Sequence, residues 1–70
     1  MTLQEQVNFY TDKFGMKLGF VAYKTDIIQS NLSAWLHYKI DLSPYNIRKI
    51  KEFIEVCESV DEFLDNQRIS

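Results

Sequence analysis

Leu3, Val7, Tyr10 and Phe14 recur at intervals of four, three and four, the spacing that gathers apolar side chains on one face of an α-helix. Thr2 and Glu5 stand three residues apart at the start of this row, the arrangement of a capping box, which satisfies two otherwise free backbone amides. Gly15 follows the row and suits the left-handed conformation in which many helices stop. The pattern predicts a first helix over residues 3–14. Leu18, Val21 and Ala22 predict a second, over 18–25, even though Gly19 in its interior costs about 1 kcal/mol. Leu32, Trp35 and Leu36 predict a third from Gln29 to His37.

Ser43-Pro44 is a strong start signal, a capping side chain followed by proline at the first helical position. Ile47, Ile50, Ile54 and Cys57 then recur at three, four and three, predicting a fourth helix over 44–57. Ser59-Val60-Asp61-Glu62 has capping-box spacing again and predicts a short fifth helix, about 60–67, with Val60, Phe63 and Leu64 on one side. Pro44 is the one proline, and Gly15 and Gly19 are the two glycines, too little turn punctuation for a small strand-rich domain. The expected fold is all-α: a compact bundle of five short helices forming a single domain over residues 1–70. That length is close to the smallest for which one core suffices.

Composition narrows the picture. A content of 46% hydrophobic and 14% aromatic residues argues for a folded chain. The single cysteine, Cys57, excludes an internal disulfide and fits a reducing cytosol, while the single histidine, His37, argues against a zinc site. No apolar run approaches the roughly 20 residues of a membrane span and no leader is evident, so the expectation is a cytoplasmic protein without a membrane role. No Ser/His/Asp or Cys/His pairing and no glycine-rich phosphate loop suggests catalysis. Neither an enzyme, a cofactor nor a metal is expected. The net charge of −2 conceals an asymmetry: residues 1–51 hold seven basic and four acidic residues, a net +3, whereas 52–70 hold Arg68 against six acidic residues, a net −5.

Residues 18–37 carry the most informative pattern. Ala22 is small where two crossing helices must approach, Asp26 tolerates a left-handed turn, and Ile27 follows as an apolar plug. Leu32 and Trp35 turn inward, and at this spacing Trp35 reads as core rather than as a stacking platform. Gln29, Ser30, Asn31, Ser33 and Ala34 are left outward, all short or neutral and able to hydrogen-bond or to touch a methyl group. VAYKTDIIQSNLSAWL, with SPYN at Ser43–Asn46 and Gly15 before it, resembles the DNA-binding domain of lambda-type phage repressors and the wider Cro/repressor-like helix-turn-helix family. The resemblance covers about half the chain directly.

That resemblance implies a regulator of transcription, of phage or mobile-element type, bound to a double-stranded DNA operator. Gln29, Ser30, Asn31, Ser33 and Ala34 would face base edges in the major groove, with Lys17, His37, Lys39 and Asn46 on phosphates. It also implies a homodimer, because the terminal helix of such repressors joins two subunits; here that surface would be Val60, Phe63, Leu64 and Ile69. The same side chains could instead fold back on the first and fourth helices. The chain departs from the family at Asp26, where glycine is usual, and at Lys17-Leu18, where a capping residue and glutamine are usual. With the acidic balance, these departures favour the alternative of a helix-turn-helix-fold module that binds a protein partner, such as an antirepressor or inhibitor.

Overall fold

The computed structural model describes the backbone of residues 1–69 and the side chains of residues 1–67. Every regular element among them is helical: α1 (Leu3–Phe14), α2 (Leu18–Thr25), α3 (Gln29–Leu36) and α4 (Pro44–Ile69). At the start of α1 the capping box forms in full, with the Thr2 hydroxyl accepting from the Glu5 amide at 3.1 Å and the Glu5 carboxylate accepting from the Thr2 amide at 2.9 Å. The hydrogen bonds that Thr2 gives the Glu5 carboxylate, its backbone amide first and its side chain second, hold that carboxyl below its ordinary value.

Helices α1, α2 and α3 all stop by one device. A residue in the left-handed region follows each of them: Gly15 (φ 65°), Asp26 (φ 55°) and Tyr38 (φ 61°). Its amide turns back to a carbonyl three residues earlier, and the next amide reaches five residues back. The outer bonds are Met16 to Thr11 at 2.9 Å, Ile27 to Ala22 at 3.1 Å and Lys39 to Ala34 at 2.9 Å. This is the Schellman arrangement, which satisfies carbonyls at a helix end.

The core is assembled from all four helices and the turn after α2. Val7, Val21, Ala22, Leu32, Trp35, Ile50 and Ile54 are buried around Ile27, and Cys57 is buried beside them. Thr25, where the predicted second helix ends, is the last residue of α2 and is 2% exposed. Its hydroxyl donates to the Val21 carbonyl at 2.8 Å, which removes the cost of burying it. Ser43 accepts from the Asn46 amide at 3.2 Å and opens α4 as the Ser-Pro pair predicts.

The fourth and fifth predicted helices are one helix. Nothing between Tyr45 and Ile69 is a glycine or a proline, and the capping residues at 59–62 have no free helix start to cap. The inward row of Ile50, Ile54 and Cys57 continues at the same interval to Asp61, whose carboxylate pairs with the Lys13 ammonium of α1. At 1.5 Å per residue, 26 residues make a rod about 39 Å long, and the molecule measures 43 × 23 × 21 Å. No described helix is long and apolar enough to cross a membrane.

Candidate nucleic-acid interface

The buried and exposed sides of α3 divide cleanly. Leu32 is 0% and Trp35 4% exposed, so the helix is held by its inner side. Gln29, Ser30 and Asn31 are exposed on its first turn, and Ser33 and Ala34 are half-buried behind them. His37 caps the far end, its Nδ1 2.8 Å from the Ser33 carbonyl. The first turn of α2 lies alongside the first turn of α3: a side chain added at Gly19 would meet Gln29 Oε1 at 3.4 Å. Gln29 therefore lies across the start of α2, at about van der Waals distance from where such a side chain would begin. A shallow hollow there is lined by Lys17, Leu18, Gly19 and Gln29, and a second links Ser33 and His37 to Leu18 and Asn8.

Lys17, His37 and Lys39 are exposed and Asn46 is half-buried. Lys17 precedes α2 without capping it through its side chain, which leaves its ammonium available. Lys39 lies in the connection after α3. That connection is fastened to the start of α1 by the Tyr38 hydroxyl, 2.8 Å from Thr2 Oγ1, and the last turn of α3 by the Gln4 side-chain amide, which donates to the Trp35 carbonyl at 3.4 Å. No local pattern signals this link, because its partners are 36 and 31 residues apart.

Asp26 proves less disruptive than its sequence position suggests. Its carboxylate accepts from the Lys49 ammonium of α4 at 3.3 Å. Lys49 also lies over the Tyr45 ring, 4.6 Å from the centroid. Tyr45 chiefly, and Asp26 against the opposing effect of burial, hold Lys49 above the ordinary lysine range. The Asp26 side chain is 90% exposed, so solvent screens the pair to a small contribution, whereas the left-handed backbone costs a side-chain-bearing residue about 1–2 kcal/mol. Asp26→Gly is accordingly expected to raise stability by up to about 1 kcal/mol, an upward shift of a few degrees in Tm. A thermal melt followed by circular dichroism measures it, and a lower Tm would mean that the ion pair outweighs the backbone term.

The residues assigned to pairing stand apart from α3. Val60, Phe63 and Leu64 are 44%, 61% and 42% exposed, so they do not fold back fully onto α1 and the first half of α4; the side chain of Ile69 lies outside the described residues. Beside them runs a groove of about 700 Å³, walled by Phe14, Met16 and Phe20 on one side and by Phe53, Val56 and Val60 on the other. Cys57 lies at this groove, and burial, with Glu58 adding to it, pushes its thiol up from the ordinary value. The groove escaped sequence reading because its walls come from segments more than 30 residues apart.

No protein-family model, curated protein or solved structure matches the chain.

Proposed function

We propose that the chain is a sequence-specific double-stranded DNA-binding regulator of transcription, a Cro/repressor-like helix-turn-helix protein of phage or mobile-element type, acting as a homodimer in the cytoplasm. The observation that carries the proposal is the division of α3: an inner side sealed by Leu32 and Trp35, and an exposed first turn of Gln29, Ser30 and Asn31. A helix so anchored offers hydrogen-bonding side chains in a fixed frame, which base-edge recognition in the major groove requires. Gln29 pairs with adenine through two hydrogen bonds, Ser30 takes a neighbouring base, and Ala34 lies against a thymine methyl. Asn31 and Ser33 support them. Lys17, His37, Lys39 and Asn46 hold phosphates and fix the register.

A titration of labelled upstream DNA, read by fluorescence anisotropy at 50 and 200 mM salt, tests the proposal. Lys17 and Lys39 on two subunits give four cationic phosphate contacts, a log–log salt slope of about −3.6, and so a loss of affinity of about a hundredfold across that range. The other reading, a protein-binding module, is favoured by the net −5 of residues 52–70 and by the apolar groove. Weak, sequence-indifferent binding together with capture of a protein partner would replace the DNA proposal with that one.

A further inference from the structure

Tyr38 holds a backbone conformation that its side chain disfavours. Its φ is 61°, in the left-handed region where Cβ crowds the following carbonyl, so glycine is the ordinary residue just past a helix. Gly15 fills that place after α1, and Asp26, after α2, is of the short polar kind that tolerates it. Tyr38 is neither. The turn it occupies is made by backbone bonds, Tyr38 amide to Trp35 carbonyl at 3.0 Å and Lys39 amide to Ala34 carbonyl at 2.9 Å. A glycine would make both. Tyr38 is also 61% exposed, so apolar burial offsets little of the strain.

What a glycine lacks is the hydroxyl. It lies 2.8 Å from Thr2 Oγ1, and Thr2 is itself fixed as the N-cap of α1, its hydroxyl accepting from the Glu5 amide. A hydroxyl has the capacity for both bonds. The connection after α3 is thereby tied to a rigid helix start 36 residues away.

Tyr38 stands between His37 and Lys39, two of the residues assigned above to phosphates. The His37 ring is already held at the Ser33 carbonyl, so Lys39 is the one that depends on the connection. Lys39 enters neither ion pair of the described residues, and Asp41 follows two residues later. A connection free to swing would bring that carboxylate to the phosphates as well as the ammonium, and binding would have to order it. We propose that Tyr38 is a positioning residue for DNA binding: its hydroxyl, anchored on Thr2, holds the connection so that Lys39 meets a phosphate. The role rests on the reading of the chain as a DNA-binding protein, and Tyr38 acts in it only through Lys39.

Tyr38→Phe removes the hydroxyl and keeps the ring and the backbone, so it tests the anchor on a folded chain. In the free protein, nitrogen-15 relaxation is expected to give the Ile40 and Asp41 amides order parameters of about 0.85 in the wild type and values falling toward about 0.6 in Tyr38→Phe. On duplex DNA the salt slope is the second readout, because it counts neutralised phosphates and not stability. Lys39→Gln takes two contacts from the dimer and is expected to bring the slope from about −3.6 to about −1.8, so that the affinity lost between 50 and 200 mM salt shrinks from about a hundredfold to about tenfold. Tyr38→Phe is expected to move the slope the same way. The double variant is expected to match Lys39→Gln alone, since both changes act on one contact. Unmoved order parameters, a wild-type slope in Tyr38→Phe, or a double variant with a shallower slope than Lys39→Gln each overturns the role. A wild type that binds no duplex sinks the DNA reading and the role with it, whereas a wild type near −3.6 with Tyr38→Phe unmoved removes the role alone.

Discussion

Leu32→Ala should leave the chain largely unfolded at 25 °C. Leu32 is 0% exposed at the centre of a core it shares with Val21, Ala22, Ile27 and Trp35. Truncating a leucine so placed costs about 3–5 kcal/mol, the transfer of the lost methyl groups plus the cavity they leave. A 70-residue chain has about 4–10 kcal/mol of total stability on the usual per-residue scale, and a chain this small sits toward the lower end, where one substitution removes most of it. The single tryptophan, Trp35, reports the outcome, because it is 4% exposed and packed in the same core. Its emission should move to the red in Leu32→Ala without denaturant, and the urea midpoint should collapse. A midpoint lowered by less than about 1 kcal/mol of equivalent stability would mean that α2 and α3 close over the gap.

The second large effect is on the proposed recognition of DNA. Gln29→Ala combined with Ser30→Ala changes two exposed side chains and should leave the urea midpoint almost unmoved. Each good base contact is worth about 1–3 kcal/mol of discrimination, so affinity for the proposed operator should fall about 5- to 150-fold per contact. Affinity for unrelated DNA should hardly change, and the salt slope should be kept, since neither side chain neutralises a phosphate. Anisotropy titrations of operator and scrambled duplexes measure all three quantities. A double variant that still prefers its operator by the wild-type margin would remove Gln29 and Ser30 from the interface.

The three helix stops show what was legible in the sequence and what was not. Gly15 announces a left-handed residue because glycine has no Cβ to clash. Asp26 could be read with more effort, since a short polar side chain tolerates that conformation. Tyr38 could not: nothing in an aromatic residue signals positive φ, and its hydroxyl is tied to Thr2, 36 residues away. The division of α4 failed for a related reason. Asp61 interrupts the apolar row after Cys57, and only Lys13 on another helix makes that position an inner one. The outward residues of α3 were accessible by elimination, because Leu32 and Trp35 claim the inner side. Lys49 as the partner of Asp26 was not, since the pair joins residues 23 apart.

An unbroken α4 has a mechanical consequence. Its N-terminal half is packed against the body that carries α3, and its outer half carries the exposed Val60, Phe63 and Leu64, with no glycine or proline between them to act as a hinge. In the proposed dimer the separation of the two reading helices would therefore be set by a stiff spacer and not by a tether. Such a protein would measure its operator as a gauge does, accepting half-sites one helical turn apart and rejecting those displaced by even a base pair or two, where a flexibly joined pair would adjust.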